Sequence, residues 1–358
     1  MKRLTALSGF DAKGPACFLL EIGAARLLLD LGEGPDQGRR PDLSAVGPVD
    51  AILISHAHHD HVGALDLGRA VGDPPIYATA LTRDVAGLAT DTAILPTQGR
   101  AEIAGLSIET GPCGHAPGGV WMRIGGPEGL LYTGDCSAES TLYPHSPPLP
   151  AAALVFDASY GAYDQPLDVA AETLGDLSRE GALLLPAPPA GRGLEMAIHF
   201  HRLGAGIGLC PAQRRVGELL LAGGTLDAAS AAELRTVLLD CRTLDGTSAP
   251  AGVMIAGQPN AEGGVAEALA ARFSKHASAR IVFTGHLAAG EPGEAMVASG
   301  SASFLRWNVH PRLLEIRAIL AAVDPAIAMP AFVKAAGRAD IAAAIGGRPF
   351  ATGPRMVW

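Results

Sequence analysis

One stretch of the 358-residue chain restricts its fold and chemistry more than any other: ILISHAHHDHVGAL, where an apolar run empties into His56, His58, Asp60 and His61. The run is β-forming and ends at Ser55, so the chain leaves a buried strand and turns at once, gathering nitrogen and oxygen ligands on one loop. His56 and His58, two residues apart, reach one ion from an extended segment. Asp60 and His61 fall around the turn, at the start of a helix predicted over HVGALDLGRAV, and face a second position beside the first. Imidazole and carboxylate at this density suit zinc, with manganese or iron as the nearest substitutes. A merely polar, His-rich loop would lie in a low-complexity tract, whereas this cluster follows a buried strand. His59 is assigned to the surface.

Composition narrows the setting. With 48% hydrophobic and 18% charged residues, the chain has enough apolar material for two moderate cores, and two domains are expected. A formal charge of −9 argues against non-specific coating of a polyanion, while leaving room for a local basic groove. The five cysteines (Cys17, Cys113, Cys136, Cys210, Cys241) are widely spaced and form no CxxC pair, so they read as small buried residues of a reduced compartment. The N-terminal stretch has no apolar core before Asp11 and Lys13, and no apolar run approaches the ~18 residues of a membrane span. A soluble, cytoplasmic protein is expected, with no membrane partner; association with a further copy is left open.

Along the chain, CFLLEIGAARLLLDLG predicts a β-hairpin ending at Asp30, which on its own reads as a simple turn residue before Gly32. PPIYAT reads as a strand and LTRDVAGLATDTA as a helical connection. The strand Leu106 to Thr110 runs into a Gly/Pro loop carrying His115, and strand LLY runs into Thr133-Gly134-Asp135. ALVFDASYG is a further strand ending in an acid, Asp157, which could equally cap a turn. From about residue 165, helices and buried strands alternate, the pattern of a parallel sheet. His199 and His201 are read as ordinary helix residues.

The HAHHDH run matches letter for letter the HxHxDH signature of the metallo-β-lactamase superfamily, and the chain resembles that superfamily at His115 and at the TGD of Asp135 as well. Asp157-Ala158-Ser159-Tyr160-Gly161 and three later strand ends (LLLPAPPAGRG, VMIAGQPNAEGG and FTGHLAAGEPG) resemble landmarks of its β-CASP branch, with His286 where that branch carries tyrosine. The resemblance implies an α/β fold: a metallo-β-lactamase αββα sandwich in two parts, 1–162 and 306–358, with an inserted β-CASP-like parallel α/β domain at 163–305. It implies a first metal held by His56, His58, His115 and Asp135 and a second by Asp60, His61 and the bridging Asp135, one or two zinc ions in all, with manganese an alternative and Asp30 supporting the metal loop. Two ions about 4 Å apart would bring a shared water to a pKa of about 7, yielding a hydroxide for attack on a phosphodiester.

His310 falls where the branch carries a motif histidine and would be a general acid oriented by Asp157. Asn308, Pro311 and Arg312 depart from the usual residues around it. Arg192, at a predicted helix start, would favour a phosphate if it is not simply a surface arginine, and His286 would join it in binding substrate. Where RNA-processing members end a late strand in His-Gly, AIAMPAF places Met329 or Pro330, removing a ligand of the second metal. The expected function is a nuclease admitting single-stranded RNA or DNA between its domains. A hydrolase of a small phosphodiester or other ester, and a catalytically reduced subunit, are the alternatives; retention of the HAHHDH ligands argues against the latter.

Overall fold

The period-2 side-chain alternation of a strand becomes a layering rule when both faces of a sheet are covered. In strand Ala25–Leu29 of the computed structural model, which describes residues 1–36 and 38–358, Leu27 and Leu29 enter one core and Leu28 the opposite one. In strand Ala153–Asp157, Ala153 and Val155 join that first core, while Leu154 and Phe156 join a third. These two strands belong to different sheets, so the shared core is the filling of a sandwich.

The chain divides into two compact units, Met1–Asp164 with His310–Trp358, and Gln165–Val309, against an expected insertion at 163–305. The first unit holds a seven-stranded and a six-stranded sheet. In the seven-stranded sheet, strands Lys2–Ser8, Cys17–Ile22 and Ala25–Leu29 pair antiparallel, and Ala25–Leu29, Ala51–Leu53, Ile76–Thr79 and Ala93–Leu95 continue in parallel. Strand Arg355–Val357 closes its other edge against Lys2–Ser8. In the six-stranded sheet, Ile327–Ala331, Ala153–Asp157 and Leu130–Tyr132 are parallel, and Val120–Ile124, Leu106–Pro112 and Gly99–Ile103 follow antiparallel. The outer face of the six-stranded sheet is covered by Ile316, Ile319, Leu320 and Val323 of helix Leu313–Val323 and by Ile341 of helix Ala335–Ile345. Phe156 is fully buried there, and truncating it to alanine would cost about 3–5 kcal/mol.

The second unit is a parallel sheet in the order Arg242–Thr243, Ile207–Leu209, Val253–Ala256, Leu183–Pro186, Arg280–Phe283, Ser303–Phe304. Its central strands are buried throughout, as expected of strands with helices on both faces. No helix among the described residues is long and apolar enough to cross a membrane.

Three local expectations are corrected. HVGALDLGRAV is not one helix: an α-turn His59–Val62 stops at Gly63, and a 3-10 segment Leu65–Val71 follows. The His61 carbonyl, which would have continued the helix, instead accepts from the Leu31 N–H at 2.9 Å. LTRDVAGLATDTA is helical only over Ala80–Ala86, stopping at Gly87 with φ of 65°, and Ala93–Leu95 is a strand. Strand Ile327–Ala331 pairs Met329 with Val155, Pro330 with Phe156 and Ala331 with Asp157. Ala331 and then Phe332, not Met329 or Pro330, therefore stand at the strand end level with the Asp157 carboxylate.

Candidate metal centre

The candidate ligands sit where parallel strands end, the position at which open α/β sheets present their functional loops. Leu29 pairs with Leu53, so Asp30 and Ser55-His56 emerge side by side from neighbouring strands. Asp30 is fully buried and organises both: it accepts the Ser55 N–H at 2.7 Å, the Ser55 hydroxyl at 2.7 Å, the His61 Nδ1–H at 2.7 Å and the Tyr132 hydroxyl at 2.5 Å. Because its hydroxyl proton goes to Asp30, the Ser55 Oγ is left to accept from His56 Nδ1 at 3.0 Å. Both histidines are thus held with Nδ1 as donor and Nε2 turned toward the centre, the arrangement by which a carboxylate fixes a ligand's tautomer. Gly32 makes the close fit possible, since a Cβ there would lie 1.7 Å from the Asp60 carbonyl oxygen.

Four donors converge on one point. His56 Nε2 and His58 Nδ1 are 3.1 Å apart, His115 Nε2 and His58 Nδ1 3.0 Å, and Asp135 Oδ2 lies 3.6 Å from His115 Nε2. Donors bound tetrahedrally at about 2.0–2.1 Å stand about 3.3 Å from one another, so the set fits a zinc-sized ion. A second group, Asp60, His61 and Asp135, shares the Asp135 carboxylate. Here His61 Nε2 faces Asp135 Oδ1 at 3.5 Å, and both atoms are buried with no hydrogen-bond partner among the described residues. Two orphaned donors pointing at each other also suit a cation, but this side already contains one.

That cation is Lys13, which sequence reasoning missed. Its side chain is 17% exposed and its ammonium lies 3.3 Å from Asp135 Oδ2, interacting also with the charges of Asp60 and Asp157. It further stands 5.6 Å from the centre of the Phe332 ring, which packs 5.4 Å from His61. The only sequence signal was indirect: the alternation of buried Leu4 and Ala6 in KRLTALS marks a strand that delivers the loop 9–16.

The electrostatics follow these contacts. Burial and the neighbouring His61, His58 and His115 imidazoles hold His56 well below the usual histidine range. Burial alone would also lower His61, but Asp135 and Asp30 outweigh it and hold the ring well above that range. Burial would raise Asp135, yet Lys13, His310 and His61 together keep its carboxyl well below the usual carboxylate range. Burial and Asp30 raise the Tyr132 phenol, which stays a donor to Asp30.

Beside the donors lies a dyad. His310 Nδ1 is 2.7 Å from Asp157 Oδ2, and Asp157 is fixed in turn by the Cys136 N–H at 3.2 Å and by the Ser159 N–H and hydroxyl at 3.0 and 2.6 Å. Tyr160 meets the His310 ring edge-on at 5.0 Å and the His115 ring lies 4.9 Å away. The departures at Pro311 and Arg312 leave this geometry intact. Asn308 belongs to the second unit, where its side chain donates to the Gln165 carbonyl at 2.9 Å.

The structure thus brings together His56, His58, Asp60, His61, His115, Asp135, Asp157 and His310 in the first unit. Arg192 and His286 lie in the second. Arg192 opens helix Arg192–Arg202, as expected, but it is 6% exposed and its Nε donates to Thr284 Oγ1 at 2.8 Å. Its guanidinium lies over Gly285, where a Cβ would come within 2.5 Å of it, so it ties the helix start to the loop carrying the exposed His286. His199 and His201 bond to the Ala171 carbonyl at 3.2 Å and to Asp240 at 3.1 Å. All five cysteines are free and buried.

Residues 11–173 match the family model described as Metallo-beta-lactamase superfamily. Transcription termination factor FttA of Methanothermobacter thermautotrophicus is 30% identical over 251 residues, 55% of this chain and 39% of that protein. Ribonuclease TTHA0252 of Thermus thermophilus is 31% identical over 228 residues, 52% of each chain. An RNase J-like protein of Methanocaldococcus jannaschii is 27% identical over 227 residues, 53% of this chain and 52% of that protein. The chain therefore spans about half or less of the length of these relatives. In three dimensions it resembles the crystal structure of a protein of unknown function from Enterococcus faecalis V583, with a TM-score of 0.58 and 14% identity over the whole of both chains, a likeness of fold alone.

Proposed function

We propose, from the premise that this chain belongs to the metallo-β-lactamase superfamily, that it is a metal-dependent nuclease of the β-CASP branch that hydrolyses phosphodiester bonds of single-stranded RNA. The observation that carries this reading is the convergence of His56, His58, His115 and Asp135 beside the Asp157–His310 dyad. RNA is favoured over DNA by the ribonuclease and RNase J-like names of two relatives.

Zinc is the metal that this donor set favours, since three imidazole nitrogens and one carboxylate match its preference for nitrogen-rich, tetrahedrally spaced ligands. Held there, zinc supplies Lewis acidity that acidifies water and offsets negative charge on a phosphodiester. The chain's own residues supply the rest. Asp157 fixes the His310 ring through Nδ1, leaving Nε2 to carry the proton delivered to the departing oxygen. Asp30, through Ser55 and directly, holds His56 and His61 in the tautomer that turns Nε2 inward. The five buried free thiols support a reduced, cytoplasmic setting. Arg192 and His286 are proposed as the substrate-facing residues of the second unit, Arg192 acting by holding the loop that carries His286.

The test is zinc content together with cleavage of labelled single-stranded RNA and DNA oligonucleotides, with bis-(p-nitrophenyl) phosphate as comparator. Zinc-dependent cleavage that favours oligonucleotides is expected. Hydrolysis of the small diester alone would move the reading to a small-molecule phosphodiesterase.

A further inference from the structure

The centre contains a positive charge of its own. The loop 9–16 that carries Lys13 is fastened at both ends: the Phe332 N–H donates to the Gly9 carbonyl at 2.7 Å, and the Ala16 N–H donates to the Asp60 carbonyl at 2.8 Å. Between these points the Arg338 guanidinium stacks 3.8 Å from the centre of the Phe10 ring and bonds both the Phe10 carbonyl and Asp11. A lysine on a mobile surface loop would hold its ammonium in water; this one is delivered against Asp135 with 17% of its side chain exposed.

A divalent ion on the His61 side would meet three handicaps. The carboxylate it must use, Asp135, already carries the Lys13 ammonium at 3.3 Å. The strand end facing it supplies Ala331 and Phe332, neither of which has a ligand atom. A second cation would also be repelled by the first at close range in a buried setting, where screening is weak. The donors themselves are intact, because His61 Nε2 and Asp135 Oδ1 face each other at 3.5 Å, both buried without a hydrogen-bond partner among the described residues.

We propose that Lys13 takes the charge-balancing place of the second cation, so that the protein holds one divalent ion tightly, at His56, His58, His115 and Asp135, and excludes the second by competition for Asp135. This rests on the metal-centre reading given above and deepens it: the lysine is a positioning residue that sets the stoichiometry of the site.

The experiment is zinc titration of the full chain by calorimetry, with zinc per chain measured after dialysis against metal-free buffer. Wild type should retain one zinc, with any second at least about 100-fold weaker. Lys13→Met, which keeps length and removes charge, should bind the second ion at least tenfold more tightly, and adding His61→Ala to it should abolish that gain. Lys13→Arg should stay at one ion, and Lys13→Gln provides a second neutral variant if the methionine form does not fold. Two equally tight ions in wild type, or no gain in a folded neutral variant, would overturn the inference alone. Wild type that binds no zinc would overturn the metal-centre reading together with it.

Discussion

The two sides of Asp135 are built from similar residues and reach opposite electrostatic solutions. On one side three histidines converge with the carboxylate, and burial and mutual repulsion hold His56 neutral, as a nitrogen ligand must be. On the other side Asp60 and His61 share the carboxylate with an ammonium, and carboxylates favour positive charge on His61 itself. The lesson is that the same ligand types take opposite charge states according to whether the surrounding chain has already balanced the charge of the acids.

The largest effect separates the two sides outright. His58→Ala should remove the tight zinc and bring hydrolysis to background, whereas Asp60→Ala should leave that zinc in place; equal loss of metal in both variants would break the comparison. Next, His310→Ala should slow cleavage of an ordinary nucleotide linkage by about 10²–10⁴-fold, and an aryl ester with an activated leaving group far less. Steady-state rates on both substrates decide this, and equal losses would assign His310 to folding or binding. A smaller effect sharpens the contrast from the shared support: Asp30→Asn should weaken zinc by about 10–100-fold, because both His56 and His61 lose their tautomer restraint. Unchanged affinity in a folded variant would make Asp30 a packing residue only.

The smallest effect provides a control outside both sides. Burial and the neighbouring Glu139 raise Glu315, at the start of helix Leu313–Val323, from 4.5 to about 7. A carboxyl with a raised folded pKa binds its proton more tightly folded than unfolded, so its contribution is complete below the unfolded value near 4.5 and is lost as pH rises through about 7. Since the group is partly exposed, screening limits the loss to about 1 kcal/mol. Denaturant titrations at pH 5 and 7.5 should show that decline in wild type and lose it in Glu315→Gln; an unchanged difference would place the titration elsewhere.

The candidate ligand cluster was legible because most of it sits within six residues and the rest follows apolar strands. The αββα layering was legible from alternating runs such as ARLLL and ALVFD. Lys13 was not, because a lysine between alanine and glycine looks like any surface residue until a partner 122 positions away is placed beside it. The end of strand Ile327–Ala331 was misplaced by one or two residues for a related reason: register is set by pairing with Val155, Phe156 and Asp157, which an apolar run does not encode. The split of HVGALDLGRAV likewise depends on Leu31 claiming the His61 carbonyl.

The pairing of Lys2–Ser8 with Arg355–Val357, and the grip of Arg338 on the loop 9–16, bear on biosynthesis. Strand Lys2–Ser8 must wait for residue 357 before its sheet edge is closed, while Gln165–Val309 is one uninterrupted segment whose sheet is complete much earlier. Synthesis at about 5–20 residues per second gives that segment several seconds in which to fold before the ligand-bearing unit can be completed. Ribosome-stalled chains ending near residue 345 should therefore be protease-resistant over 165–309 and sensitive over 1–164, with zinc retention beginning only when strand Arg355–Val357 has emerged.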